Sequence, residues 1–381
     1  MRSRIWITLH ALVALVPVVG MLLHAPDALL FGVEAEGVAP FPSIGYAEWR
    51  DEKLQPTFQT WFEAHIGFRG AMVRTDNTVQ QLVFDQTKPG SDTVIGKEGV
   101  LFFRDDLTYA GTRSDDLPAA LSQVDRLTRG IGSVHQKLTA RGKHLVVIIS
   151  PSKTGLYPEA KPAPWIRGST SHFDVDLHDA LRSGLQRSGI PFADARAILS
   201  ATPTRDREIT FPRDARHWSA FGACQVLREA LRPDVVVPSC DYDMIRHPRE
   251  AHVDFDLYRL LNRWHPADAA WAEVPVVRPA VRSPRPGSPR LRTVIVGTSF
   301  MWMFTDLLRP LVDLPVIALF YNKTAFELGE VHRRLGPVDP STPEWVDWVL
   351  DRDLYILDVL ETYADRPQMI EFVETLDQRL D

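Results

Sequence analysis

From about residue 117 the chain repeats one pattern: an amphipathic stretch of helical period, then a short unbroken apolar run. Leu117, Leu121, Val124, Ile131, Val134 and Leu138 recur at three- and four-residue steps, which predicts a helix that Gly142 ends. His144 to Ile149 (HLVVII) follows as a strand with no polar face. Residues 173–188 read as helix, 190–193 as a short strand and 218–231 as helix. Val294-Ile295-Val296 reads as a strand, with a helix from Phe300 to about Leu308 that Pro310 stops. Residues 316–321 and 354–360 complete the expected strands, and 367–380 form a last helix. Strands apolar on both sides must be covered on both sides, so the expected fold class is α/β: a parallel sheet flanked by helices. In such sheets ligands bind beyond the carboxyl ends of the strands. Ser150, Ser299 and Tyr321 stand at such ends.

The first residues follow another rule. Met1-Arg-Ser-Arg4 is basic, and Ile5 to Leu23 is apolar apart from Thr8, His10, Pro17 and Gly20. About 20 apolar residues suffice for one helical span, and basic residues before it keep that end in the cytoplasm. No small-x-small cleavage site follows, so an uncleaved anchor over residues 1–24 is expected ahead of a removed signal peptide. A buried N-terminal helix is disfavoured because no polar face recurs along the run. The expected order is anchor 1–24, a Pro/Gly/Ala-rich linker 25–45, and one exported body 46–381. Within the body, residues 46–84 read as irregular helix, 94–103 as a hairpin around Lys97-Glu98-Gly99, and 278–290 as an exposed loop. The net charge of −6 argues against a nucleic-acid partner. Cys224 and Cys240 either pair in an oxidising compartment or stay as buried thiols. No Cys/His cluster has zinc spacing, and neither a metal nor a cofactor is expected.

Two strings carry the chemistry. TVIVGTSF (Thr293 to Phe300) ends a buried strand in Gly297-Thr298-Ser299, where a turn opening into a helix holds a serine hydroxyl clear of the sheet. FPRDARHW (Phe211 to Trp218) sets Asp214 three residues before His217. Ser299 as nucleophile, His217 as base and Asp214 as orienting acid make one reading. The plainer one is a helix-capping Ser299, a helix-capping Asp214 and a His217 packed on Trp218. Backbone N–H groups around Gly297, Thr298 and Ser299, with Asn322, are the expected oxyanion donors. Lys153 and Tyr157 (SPSKTGLYP), Arg216 and Tyr321 are expected to contact substrate.

These strings, with FEAHIGFR (Phe62 to Arg69), GKEGVLFF (Gly96 to Phe103), VVIISPSKTGLYPEAKP, RHWSAFGA and LDVLETYADR, resemble in order the alginate O-acetyltransferase family of AlgJ and AlgX type, an SGNH-hydrolase-like group. The resemblance implies an SGNH-like fold with Ser299 as nucleophile and His217 as general base. It implies a single-pass inner-membrane protein with its body in the periplasm, moving acetyl groups onto an exopolysaccharide beside a membrane-bound O-acyltransferase that supplies them. Two positions depart from the family pattern. The family places its acid two residues before the His, where Ala215 stands here, and Gly-Asp-Ser has become Gly-Thr-Ser with Thr298. SGNH hydrolases at large use D-x-x-H, which keeps Asp214 as the expected acid. A carbohydrate acetyl esterase on the same triad and a non-catalytic polysaccharide-binding scaffold are the competing readings.

Overall fold

The computed structural model describes the chain apart from residues 1–5, 7–14, 33–39, 89, 112–116, 163–176, 232–237, 266–270, 279, 282–289, 310 and 330. Two compact units are present: residues 1–91 with 258–269, and residues 92–257 with 270–381. The 46–381 span expected as one domain is thus shared between them.

The first unit holds helices α1 (Tyr46–Arg50), α2 (Leu54–His65) and α3 (Arg69–Phe84). The start of α3 lacks a capping side chain of its own. Asp27 supplies it, accepting the N–H groups of Gly70 at 2.7 Å and Ala71 at 3.1 Å, a favourable place for an anion. Arg74 on α3 then donates to the carbonyls of Leu29 and Arg263, which ties the 258–269 segment into this unit. Residues 15–22 are helical, and among the described residues no helix is long and apolar enough to cross a membrane. Of the expected span Ile5 to Leu23, residues 5 and 7–14 lie outside the described residues. The expected transmembrane helix therefore gains no support here.

The second unit carries strands β1 (Thr93–Ile95), β2 (Leu101–Phe103), β3 (His144–Ser150), β4 (Phe192–Asp194), β5 (Pro238–Ser239), β6 (Tyr242–Pro248), β7 (Trp271–Val277), β8 (Ala280–Val281), β9 (Arg292–Gly297), β10 (Asp313–Phe320), β11 (Thr324–Leu328), β12 (His332–Pro337) and β13 (Leu354–Leu360). Among the described residues seven of these form the main sheet, in the order β12-β11-β10-β9-β13-β3-β4. From β10 to β4 every pairing is parallel, whereas β11 and β12 add antiparallel to one edge. The expectation of a wholly parallel sheet is corrected to a mixed one. The two extra strands were not expected because His332–Pro337 (HRRLGP) has no alternating apolar face. Hairpin β6–β7 was likewise unforeseen, and most of the expected loop 278–290 lies outside the described residues.

Side chains alternate across the sheet as a period of two requires. Ile148, Ile295, Ala318 and Ile356 face one buried cluster, and Val147, Val294, Leu319 and Leu357 face the other. Helices α4 (Leu117–Ala140), α5 (Leu177–Arg187) and α8 (Pro367–Arg379) cover the second side; α6 (Ala220–Ala230) and α7 (Trp302–Leu308) cover the first. The apolar positions of α4 foreseen from their spacing, Val124, Ile131, Val134 and Leu138, are all buried. Gly142 follows with φ of +67°, the left-handed turn that ends such a helix without a Cβ penalty. The hairpin at Lys97–Gly99 forms as expected. Cys224 on α6 and Cys240 after β5 are joined in a disulfide that spans 16 residues, which settles the open choice between a pair and two thiols.

Candidate active site

The site grows from the carboxyl ends of β9 and β13, within the second unit. After Gly297 the chain enters a 3₁₀ turn, Ser299–Met301, before α7 begins; the helix expected from Phe300 starts two residues later than its pattern suggested. Thr298 caps the turn, and its N–H and hydroxyl both donate to Asp358 Oδ2 at 3.1 Å. The other oxygen of Asp358 accepts the Ser150 hydroxyl at the end of β3. Burial pushes the Asp358 carboxyl up to about 6 against these hydrogen bonds. Gly297 is required by this packing, since a Cβ there would stand 2.5 Å from the Asp358 Cβ.

Ser299, half-buried, presents its Oγ 2.7 Å from His217 Nε2. The opposite ring nitrogen, Nδ1, lies 2.6 Å from Asp256 Oδ2. Asp214 is elsewhere, accepting the Arg249 guanidinium at 2.9 Å. The carboxylate set against His217 is therefore Asp256, where Asp214 was expected. The physical reason is that Asp214 turns to a cation on its own side of the loop, while Asp256, 39 residues past His217, is held by two backbone donors. Its Oδ1 accepts the N–H groups of Arg216 and Leu257, each at 2.7 Å. Burial alone would raise the Asp256 carboxyl; the hydrogen bond and charge of His217, with those two N–H groups, bring it below the usual carboxylate range. Asp256 thus stays ionised and fixes the ring so that Nε2 faces the serine.

The base and the nucleophile are locked to each other by their neighbours. Trp218, fully buried, donates its indole N–H to the Phe300 carbonyl at 3.2 Å and meets the Phe300 ring edge-on, 5.1 Å between centroids. The His217 ring also packs on Phe300, at 4.8 Å.

The remaining expected site residues divide. Tyr321, in a left-handed turn with φ of +50°, donates its N–H to the Gly297 carbonyl at 2.8 Å. Burial raises its phenol further above the ordinary value, so it stays neutral. Gly297, Thr298 and Tyr321 line a small pocket of about 30 Å³ with Asn322 and Tyr363. Thr298 spends its N–H on Asp358, which removes it as an oxyanion donor, while Asn322 directs one amide N–H at the Gln368 carbonyl, 3.4 Å away, and keeps a second. Arg216 is not open to substrate as expected: its guanidinium donates to buried Asp106 at 2.9 Å and to Tyr363, and stacks 3.9 Å over Phe103. Lys153 and Tyr157 are buried beneath the site rather than in it. Lys153 Nζ donates to the Pro212 carbonyl and lies over the Phe211 and Tyr157 rings, while the Tyr157 hydroxyl donates to the Phe211 carbonyl at 2.7 Å. Both pin the segment that leads to His217. Sequence reasoning missed Asp256, Asp358 and Asp106; Asp256 sits in VDFDLY (Val253 to Tyr258), whose only signal is a pair of acids in a loop.

Residues 93–232 match the family described as the SGNH hydrolase-like domain of the acetyltransferase AlgX. The chain resembles the AlgJ and AlgX acetyltransferases. A curated relative, the probable alginate O-acetylase AlgJ of Pseudomonas aeruginosa, is 27% identical over 202 residues, which is 51% of this chain and 46% of the relative. This chain thus spans about half the length of that protein in the match. Among solved structures, the O-acetyltransferase domain of AlgJ from Pseudomonas putida gives a TM-score of 0.46 at 17% identity, over 75% of this chain and 99% of that one. AlgX of Pseudomonas aeruginosa gives 0.43 at 14% identity, over 80% and 70%. The AlgX match includes His217 but ends before Asp256 and Ser299, so those two assignments rest on the geometry of this chain.

Proposed function

We propose that this protein is a periplasmic O-acetyltransferase that acetylates hydroxyl groups of a polysaccharide through an acetyl-Ser299 intermediate. The observation that carries the reading is the unbroken chain Ser299 Oγ–His217 Nε2 and His217 Nδ1–Asp256, at 2.7 and 2.6 Å. As Ser299 Oγ attacks the donor's acetyl carbonyl, His217 Nε2 takes its proton and Asp256 stabilises the imidazolium. We assign the developing oxyanion to the Ser299 N–H, with the neutral Tyr321 phenol as the second donor. Collapse expels the donor's leaving group, which takes the proton from His217, and leaves the acetyl ester on Ser299. His217 then draws the proton from an acceptor hydroxyl as it attacks, and Ser299 is released.

The relative named as an alginate O-acetylase supports a polysaccharide acceptor. The disulfide supports an oxidising compartment. The apolar run from Ile5 to Leu23 supports an inner-membrane anchor, which places the body beside a membrane-bound O-acyltransferase as acetyl donor. The scaffold reading drew on the displaced acid and loses that ground with Asp256 against His217. The esterase reading differs only in letting water reach the acyl-enzyme.

Incubation with p-nitrophenyl acetate, followed by intact mass measurement, is expected to add one acetyl group, mapped to Ser299 and absent from Ser299→Ala. Transfer of that acetyl to an added oligosaccharide faster than to water supports transfer; a serine that is never acetylated overturns the proposal.

A further inference from the structure

A second cleft, of about 520 Å³, is lined by Pro212 to Asp214, just ahead of His217, and by Asp254 and Phe255, just ahead of Asp256, with hairpin β6–β7 completing its wall. Its charges are unequal. Glu208, Asp214, Asp254 and Glu273 line it against Arg213 and Arg249. Both arginines already face carboxylates: Arg249 donates to Asp214 at 2.9 Å, and Arg213 pairs with Glu208 at 2.9 Å and Glu98 at 3.3 Å. Neither is left to clamp an incoming anion.

Asp254 is the opposite case. It is only 2% exposed, yet neither carboxylate oxygen has a hydrogen-bond partner. The nearest basic atom, His252 Nδ1, lies 3.7 Å from Oδ1, but that nitrogen accepts the N–H of Asp254 at 3.2 Å and so carries no proton to give. Burial, with the charge of Asp256 beside it, holds the Asp254 carboxyl up at about 7. A buried acid left in this state calls for a donor from outside the chain, a water or a cation. Among the described residues no group of three or more His, Cys, Asp or Glu side chains could hold a metal ion, and an ammonium, which brings its own hydrogen-bond donors, needs no such group.

We infer that this cleft binds a saccharide unit carrying a free ammonium group, with Asp254 as its ion-pair partner, and that it disfavours uronate units. Calling that unit part of the acceptor polymer rests on the acetyltransferase reading; the binding itself does not. A polyuronate brings one carboxylate per sugar into a wall already acidic in excess, where like charges cost affinity, whereas an amino sugar neutralises that excess.

The test is calorimetric titration of the full chain with three probes: a glucosamine trimer, its N-acetylated counterpart and a mannuronate trimer. The glucosamine trimer is expected to bind at least ten-fold more tightly than either control, with at least ten-fold loss in Asp254→Asn. Glu273→Gln, at an exposed strand position, is expected to weaken binding several-fold and keeps the test open should Asp254→Asn fail to fold. Equal binding of the free and N-acetylated amines, preference for mannuronate, no binding of any trimer, or undiminished binding in both variants overturns the inference. Amine binding without acetyl transfer retains this site and removes the proposed activity; transfer without amine binding does the reverse.

Discussion

Asp358 accepts both the backbone N–H and the hydroxyl of Thr298 at 3.1 Å, and so ties the turn that carries Ser299 to the adjacent strand β13. Ser299 is thus placed by a buried carboxyl whose hydrogen bonds go to Thr298 and Ser150, not to His217 or the serine hydroxyl.

The exchange of acids gives the sharpest test. Asp256→Asn should keep the fold and lower turnover by roughly four orders of magnitude, because the wrong tautomer of His217 is then favoured. Asp214→Asn breaks the pair with Arg249, away from His217, and should stay within a few-fold of wild type. Steady-state rates on a chromogenic acetyl ester decide between them, and equal losses would return Asp214 to the site.

Gly297→Ala places a methyl group 2.5 Å from Asp358 Cβ and 2.9 Å from its backbone oxygen, neither of which can swing away. The expected cost is about 1–3 kcal/mol in stability, with a fall in rate as Ser299 is displaced. Chemical denaturation and ester hydrolysis on one preparation check both.

Asp358 also predicts a pH dependence. Its folded value of about 6 lies above the ordinary 3.8, so the folded state binds the proton more tightly than the unfolded chain. That contribution is fully present below 3.8 and is lost as pH rises through about 6. Wild type should therefore lose stability relative to Asp358→Asn between pH 4 and 6, by on the order of 3 kcal/mol at most. Denaturant midpoints of the two proteins that run parallel across this window would rule the assignment out.

Lys153 runs the other way. Burial holds its ammonium down at about 7 from an ordinary 10.5, so between those values the unfolded chain binds more protons and wild-type stability rises with pH. Lys153→Met removes that slope. Thermal melts from pH 7 to 10 should show wild type gaining on the variant, and the variant's turnover should fall because Pro212 and Phe211 lose the contact that steadies His217.

Much of this architecture is legible in the residues because it rests on periodicity. The unbroken runs HLVVII and LYILDVL became the central strands β3 and β13, and the three- and four-residue spacing of α4 marked its buried face. The edge strand β12 escaped because its exposed residues leave no apolar signature, and β11 beside it because its five residues, TAFEL, are too short to show a period. In the site, Ser299 and His217 could be read from local strings, since each is placed by its own strand end or turn. Asp256 could not be read: its role depends on a loop returning 39 residues later to the N–H of Arg216. Lys153 and Tyr157 were misplaced for a related reason. Polar side chains at a sheet's ligand edge look alike in sequence whether they point into a pocket or, as here, under the loop beside it.

The indole of Trp218 bonded to the Phe300 carbonyl joins the two residues that directly follow the base and the nucleophile. It acts as a spacer cut to length when the chain folds, before any donor arrives. A centre whose dimensions are fixed in this way needs no large ligand to set it, so small acylating reagents meet the same hydroxyl in the same pose. In the transfer proposed above, discrimination then has to come from delivery: which donor is brought to the serine, and which acceptor reaches the ester before water does.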